Sequence, residues 1–287
     1  MRASNLNRFA RAAAGAAFLL LIAGGLVTST GSSLAVPDWP LSYGKFFPPM
    51  TGGVLFEHGH RMIAGLVAVM IWALAVWTWR AESRPWVKIV AAAAALGVLA
   101  QALLGGLTVL LKLPPAVSIA HACLGQTVFC LVLVIVQATS PLRLAARSPS
   151  PSMPDGLWLS PILCVAAVYI QLVSGAVVRH TGRAIPIHLA GAALAATLIL
   201  WVSYRFFSSG TFDRPLLIPA GLAAALVPCQ MFLGLVTWAV RGRPASPKDV
   251  WRTVFPTAHV AVGAALLGTC VIWTMRAYLA RPAALEA

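Results

Sequence analysis

Eight apolar stretches constrain the fold of this chain more than any other feature of its sequence. Each is long enough to cross the hydrocarbon core of a bilayer, which takes about 20 residues of α-helix. The stretches span residues 9–30, 54–79, 87–111, 116–138, 158–179, 186–207, 216–240 and 254–275. Short connections make up the rest of the chain. The sequence therefore predicts an all-α membrane protein with eight transmembrane helices and no soluble domain.

Composition and charge support this prediction and narrow the class of partner. Of the 287 residues, 60% are hydrophobic and 10% are charged, whereas a soluble domain carries about 25% charged residues. The net charge is +14, but the basic residues stand singly at the ends of the apolar stretches, as membrane flanks do. Nucleic acid is therefore excluded as a partner. The Lys/Arg distribution favours a multi-pass protein of the cell inner membrane with a cytoplasmic N-terminus.

An internal duplication organises the helices. A Q-x-x-x-G block lies toward the outer end of the third, fifth and seventh helices, and the first helix carries a related AGGLVTS segment. Small residues of this kind also serve close helix packing. In every case, however, the following helix has a histidine near its outer start. The repeat predicts two pseudo-symmetric four-helix bundles, with an N-terminal half at 1–147, a cytoplasmic linker at 148–156 and a C-terminal half at 157–287.

The four repeated histidines are His60, His121, His188 and His259. Neutral imidazole is an axial ligand of haem iron, and ligands in bundles project from facing helices. Four histidines at similar depth therefore suit two haems, each held by two imidazoles. A single membrane histidine can also serve only as a hydrogen-bonding group between helices. A di-metal centre would need several carboxylates, and Glu57 is the sole acid within the predicted spans.

Glu57 distinguishes the two halves. It lies three residues before His60 and so shares its helix face, whereas the equivalent position before His188 is Ile185. A carboxylate beside one haem can accept a proton. This asymmetry favours a first half that performs chemistry and a second half that moves electrons. An ion pair between Glu57 and Arg61 is the alternative that the sequence leaves open.

Other polar residues near the outer helix ends complete the candidate site. Arginines there are candidates to bind haem propionates, because guanidinium groups bind carboxylates in a bidentate manner. His58, beside the first ligand, and His180, in the turn after the fifth helix, are candidates for contacts around the haems. The proline- and aromatic-rich segment 31–53 is a candidate cap for the first half. The arginines concerned are Arg61, Arg179 and Arg183, with Arg241, Arg243 and Arg252 around them.

A set of motifs in this order resembles the haem A synthase family. The motifs are PDWP at 37–40, EHGHR at 57–61, QALLGGLTV and SIAHA at 101–122, VRHTG at 178–182, and QMFLGLVTW and TAHVAVGA at 230–264. The resemblance implies eight transmembrane helices in two halves. It also implies an oxidoreductase that converts the C8 methyl of haem O to a formyl group by successive hydroxylations, making haem A for terminal oxidases.

The resemblance assigns roles to individual residues. It implies that His60 and His121 bind the substrate haem, with Glu57 as the catalytic carboxylate. It further implies that His188 and His259 are the axial ligands of a haem b iron. Haem O synthase, a membrane electron donor or acceptor and the terminal oxidase assembly are the implied partners, and a homo-oligomer is left open. The haem sites would lie toward the outer face of the membrane.

Two departures from the family pattern affect the outer loops. Many members carry a cysteine at the position of Ser42 and a second cysteine nearby, and this loop has neither. The segment RHTGRAIPIH also runs directly into the sixth helix, without a second PDWP-like loop. An alternative function is a di-haem b-type electron carrier that oxidises quinol without modifying its haem. The one-sided placement of Glu57 favours the enzyme.

Overall fold

Eight long helices make up most of the described part of the chain. The structure, a computed structural model, describes residues 2–140, 156–210, 214–244 and 248–280. The helices are α1 Arg2–Ser29, α2 Gly53–Ala81, α3 Pro85–Leu110, α4 Pro115–Ala138, α5 Ser160–Thr181, α6 Ile185–Ser208, α7 Arg214–Ala239 and α8 Val250–Leu279, with a 3₁₀ turn at Leu157–Leu159 before α5. All eight are long and apolar enough to cross a membrane. The predicted all-α, eight-helix membrane fold is confirmed, and the chain is a multi-pass membrane protein.

The helix ends differ from the predicted spans by a few residues, for local reasons. The fifth helix continues to Thr181 and stops where Gly182 adopts a positive φ of 68°, a common helix terminator. His180 therefore lies in the last turn of α5, whereas the sequence predicted it in the turn after that helix. The eighth helix begins at Val250, because the Asp249 side chain accepts the Arg252 N–H and caps the first turn.

Each half of the chain forms a closed ring of four helices. In the first half, α1 packs on α2, α2 on α3, α3 on α4, and α4 returns to α1; α5 to α8 repeat this order. Each ring has its own cluster of buried apolar side chains. This neighbour pattern is the one that a duplication would produce, while the pseudo-symmetry and the boundaries at 1–147 and 157–287 stay predictions. The linker 148–156 lies outside the described residues except for its last position.

The two rings meet where α1 and α4 of the first half pack against α5 and α8 of the second half. Helix α8 packs on α1 and α4, and α4 also packs on α5. Close approach depends on Gly268, where a Cβ would lie 2.8 Å from the Leu133 side chain. A hydrogen bond of 2.8 Å between Thr127 Oγ1 and the Tyr169 hydroxyl also joins the rings. Small residues and interhelical hydrogen bonds replace the hydrophobic effect between helices in lipid. The contact places the helices of His121 and His259 side by side.

Candidate functional site

Each predicted histidine ligand lies against a glycine of the preceding helix. A side chain at Gly175 or Gly234 would collide with the imidazole, and one at Gly24 or Gly105 would crowd it, so the missing Cβ makes room for the ring. A Cβ built at Gly24, Gly105, Gly175 and Gly234 would lie 3.2, 3.3, 2.9 and 2.9 Å from Cε1 of His60, His121, His188 and His259. The glycine of the Q-x-x-x-G block is thus a seat for the next helix's imidazole. Sequence reasoning recognised the block but missed this role, which the constant pairing of block and histidine could have indicated.

The glutamines of the same blocks make the reciprocal contact in three helix pairs. Each lies on a glycine that follows the histidine by three or four residues. Gln101 contacts Gly125, Gln171 contacts Gly191 and Gln230 contacts Gly263, and a Cβ at Gly125 or Gly263 would lie 2.9 or 3.0 Å from the amide nitrogen. The α1–α2 pair lacks this second contact, since Leu20 stands four residues before Gly24. Each of the three helix pairs is therefore interlocked in both directions.

The second-half histidines face each other across the bundle. The ring centres of His188 on α6 and His259 on α8 are 6.4 Å apart, and the ring planes are inclined at 82°. Metal–imidazole bonds are about 2.0–2.1 Å long, so two imidazoles on opposite sides of one ion have centres about 6 Å apart. The described residues contain no group of three or more His, Cys, Asp or Glu side chains that could hold a metal ion. A pair of imidazoles without further protein ligands fits a haem, because the porphyrin supplies the remaining donors.

Hydrogen bonds hold both second-half imidazoles. Nδ1 of His188 lies 2.9 Å from the Ser174 hydroxyl and 2.9 Å from the Gln171 amide nitrogen. Nδ1 of His259 lies 3.2 Å from the backbone oxygen of Gln230. Such contacts to the second ring nitrogen set the orientation of a ligating imidazole. The described part of this pocket has no acidic residue.

The first-half histidines have no side-chain hydrogen bond of the kind that Ser174 makes with His188. His60 is on α2 and His121 is on α4, and both helices pack on α1 and α3. Nδ1 of each is buried, and no side chain is hydrogen-bonded to it. The pairing of these two histidines stays a prediction.

Glu57 is buried, with 4% of its surface exposed. One carboxylate oxygen lies 2.7 Å from Nη2 of Arg61, and the other accepts the Val36 N–H at 2.9 Å. The ion pair that the sequence left open is therefore present. It connects the acid to the segment between α1 and α2, while the catalytic role of Glu57 stays a prediction.

Arg61 binds that same segment. Its Nη1 donates to the backbone oxygens of Asp38 and Leu41, both at 2.8 Å. Beside it, buried His58 lies 2.7 Å through Nδ1 from the hydroxyl of Ser42, the residue that replaces the cysteine of many haem A synthases. Both side chains anchor the loop 30–52, referred to below as the outer loop. The propionate contact predicted for Arg61 would compete with these bonds and stays a prediction.

The outer loop reaches across the first half to α3. The Trp39 indole lies on Gly106, where a Cβ would come within 2.7 Å of the ring. The adjacent Gly105 is the seat of His121, so the loop covers the outer end of this pocket. Within the loop, Asp38 accepts the N–H groups of Gly44 and Tyr43 at 2.8 and 2.7 Å. These bonds lower the pKa of Asp38 below its ordinary value.

The end of α5 lies between the two halves. Nη2 of Arg179 donates to the Gly25 backbone oxygen and to Ser29 Oγ on α1, both at 2.9 Å. His180 follows Arg179 in the last turn of α5. Arg183, the third predicted propionate contact, is exposed.

Comparison with known proteins agrees with the motifs. Residues 52–188, just under half of the chain, match the COX15-CtaA family, described as cytochrome oxidase assembly protein. Heme A synthase from Bacillus licheniformis is 29% identical over 59% of this chain and 57% of its own length. Heme A synthase from Bacillus pumilus is 32% identical over 57% of this chain and 55% of its own length.

The chain is similar to several proteins named Heme A synthase. A third protein, Heme A synthase from Exiguobacterium sp., is 27% identical over 79% of this chain and 81% of its own length. The resemblance read from the motifs is thereby confirmed. With the first two relatives, the matched region spans little more than half of the relative's length. The region that matches the family begins just before α2 and ends at His188, so it includes the first-half ligands and Glu57.

Proposed function

We propose that this protein is a haem A synthase, which oxidises the C8 methyl of haem O to a formyl group by successive hydroxylations. The names of its relatives support a role in haem A biosynthesis. The four histidines seated on glycines support two haem pockets. Together they favour an oxidoreductase that acts on a haem over a protein that only transports or assembles one.

The observation that carries the proposal is the unequal polarity of the two pockets. Glu57 is buried one turn from His60, whereas the His188–His259 pair has no acid among its described neighbours. A carboxylate at one pocket alone suits one reacting haem and one electron-transferring haem. The second-half pair would accordingly hold haem b, and His60 and His121 would hold haem O.

The residues of the first pocket have distinct tasks in this scheme. Glu57 accepts a proton released as the methyl group is oxidised. Arg61 holds this carboxylate and the outer loop in one network. Trp39, seated on Gly106, excludes water from the outer end of the pocket. A haem b held by His188 and His259 would carry electrons between the substrate haem and the membrane electron donor or acceptor.

Arg179 is the predicted propionate contact whose position best supports that role. It is a cation at the junction of α1, α5 and α8, and no acid of the described chain is paired with it. A propionate of the second-half haem would supply the missing anion. The protein would lie in the inner membrane with its N-terminus in the cytoplasm and both pockets toward the outer face. Haem O synthase would supply its substrate, and the terminal oxidase assembly would receive its product.

Co-expression with a haem O synthase in a host that lacks haem A tests the proposal. Haem extracted from the membranes is separated by chromatography, with cells that express the haem O synthase alone as the control. We expect haem A only when this chain is present. Persistence of haem O without any haem A would contradict the enzyme, and tightly bound, unmodified haem b under those conditions would favour the electron carrier.

A further inference from the structure

The Nδ1 atoms of the four candidate ligands are in two different environments. In the second half, each Nδ1 lies within hydrogen-bonding distance of an oxygen, Ser174 Oγ for His188 and the Gln230 carbonyl for His259. In the first half, Nδ1 of His60 is buried without a hydrogen-bond partner, and no side chain is hydrogen-bonded to Nδ1 of His121, whose ring meets the Gln101 backbone. This difference separates the proposed haem b site in the second half from the proposed haem O site in the first half.

Iron bound at Nε2 requires the proton of a neutral imidazole to be on Nδ1. Ser174 can accept that proton from His188, because its own hydroxyl hydrogen is donated to the Gln171 backbone oxygen at 2.8 Å. The Gln171 amide nitrogen is equally near Nδ1, but it can only donate, and it donates to the His188 backbone oxygen at 2.7 Å. Ser174 is therefore the acceptor for His188.

For His259 the assignment is simpler. A backbone carbonyl can only accept a hydrogen bond, so the contact with Gln230 places the proton on Nδ1. The Gln230 side-chain amide nitrogen lies 3.5 Å from Nε2. This acceptor belongs to the main chain and does not depend on a side chain. Ser174 is thus the residue through which substitution can alter the orientation of a second-half ligand.

The sequence shows that this hydroxyl is peculiar to one helix pair. The residue immediately before the seating glycine is Ser174 in α5, whereas the equivalent residues are Ala23, Leu104 and Leu233. Neither alanine nor leucine can accept a hydrogen bond. The first-half imidazoles therefore have no side chain at this position that could orient them.

We propose that Ser174 is a positioning residue that fixes the ring orientation and tautomer of His188, so that the second half retains its haem. The proposal rests on the proposed function, and it extends that function to the exchange of haem. An acceptor at Nδ1 orients the ligand and raises its basicity, and loss of such a partner lowers metal affinity about 10–100-fold. The first-half pair has Ala23 and Leu104 in place of this hydroxyl, and it therefore binds its haem more weakly and releases it after oxidation.

The test compares Ser174→Ala and Ser174→Thr in the purified full-length protein loaded with haem b. The dissociation rate of the second-half haem is measured by its transfer to excess apomyoglobin, and its midpoint potential by redox titration. We expect Ser174→Ala to release haem about 10–100-fold faster and to have a more positive potential, since a less basic ligand stabilises ferric iron less. Ser174→Thr retains the hydroxyl and should behave like the wild type.

A matched control is Ser203→Ala, which removes a buried hydroxyl in α6 that donates to the Ala220 backbone oxygen. This change should alter neither the release rate nor the potential. In the reciprocal variant, Leu104→Ser, a hydroxyl is added beside Gly105, and we expect slower release of haem from the His60–His121 pocket.

The outcomes separate this inference from the proposed function. If wild-type protein holds no haem that depends on His188 and His259, the proposed second-half site is wrong. If it holds such a haem, but Ser174→Ala leaves its release rate and potential unchanged, the role of Ser174 is wrong. A Ser174→Thr variant as defective as Ser174→Ala would also overturn that role, because the hydroxyl would not be the group responsible.

Discussion

The indole of Trp39 lies directly on the backbone of Gly106, and the next residue toward the N-terminus, Gly105, is the seat of His121. One two-residue segment of α3 therefore contacts both the outer loop and a candidate ligand. Because protein interiors are close-packed, displacement of the Trp39 indole would shift the His121 imidazole. The cover of the first pocket and the position of its ligand are mechanically connected.

Gly106→Ala should displace Trp39 and loosen the outer loop. The added methyl group would lie within 2.7 Å of the indole, and overpacking of this kind costs about 1–3 kcal/mol. We expect faster tryptic cleavage after exposed Lys45 in the loop. Gly65→Ala is the control, since a Cβ there has no neighbour within 4 Å. Equal cleavage rates in the two variants would show that the indole contact does not hold the loop.

Asp38→Asn should loosen the same loop by a different route. The N–H groups of Gly44 and Tyr43 lower the pKa of Asp38, so the ionised form stabilises the folded loop. That contribution is present above the ordinary value of 3.8 and is lost as the pH falls through the lower, folded-state pKa. The neutral asparagine should therefore increase cleavage after Lys45 at pH 7, relative to cleavage after Lys112 in the same digest. An unchanged ratio would contradict this contribution.

Glu57→Gln should leave haem bound and abolish most of the oxidation. Removal of a general base typically lowers a rate by about 10²–10⁴-fold. The amide keeps the size of the carboxylate but has one acceptor oxygen, for either the Val36 N–H or Arg61. The bonds from Arg61 to the Asp38 and Leu41 backbone remain, so the loop should stay closed. Product is measured as the ratio of haem A to haem O in extracts.

The matched control for Glu57 is Glu82→Gln, just after the other end of α2, where the carboxylate is ion-paired with Arg84. Its product ratio should equal that of the wild type. Normal haem A output from Glu57→Gln would exclude an essential role for this acid.

His188→Ala and His259→Ala should each remove the tightly bound b-type spectrum. Either change leaves one imidazole at the proposed haem b site, where the two ring centres lie 6.4 Å apart. His60→Ala, in the other half, should retain that spectrum and lose product. The measurement is the reduced-minus-oxidised absorption of purified protein. A b-type spectrum that survives both second-half changes would show that the pocket is assigned to the wrong residues.

Arg179→Gln should weaken the junction between the halves and the hold on the second-half haem. The variant loses charged hydrogen bonds to the Gly25 backbone and Ser29, which are worth about 1.5–3 kcal/mol each. Thermal unfolding in detergent and the haem content check both effects. Arg183→Gln alters an exposed arginine of the same region and should change neither. If both variants behave like the wild type, the hydrogen bonds of Arg179 neither stabilise the junction nor help to retain the second-half haem.

Much of the candidate site was predictable because its signals are local. The Q-x-x-x-G blocks and the histidines one helix later predict four imidazoles at similar depth, and in the structure the His188 and His259 ring centres lie 6.4 Å apart. From the sequence, Glu57 could form an ion pair with Arg61 or a hydrogen bond with a histidine. A spacing of four residues permits the Arg61 ion pair without requiring it. The contacts of Arg61 with Asp38 and Leu41 were not predictable, because they depend on the path of the outer loop.

The sequence by itself determined eight membrane-spanning helices, their approximate ends and four histidines in a common register. Hydrophobicity, length and spacing are properties of the chain that no distant contact can change. Only the tertiary structure decided that Ser174 meets His188, that Trp39 rests on Gly106 and that Arg179 reaches α1. Each of these contacts depends on how a helix is rotated about its axis or on where a loop crosses the bundle. Packing of the whole protein determines the helix rotation and the loop path. The two predicted pockets, each with two histidines, therefore have different neighbouring residues.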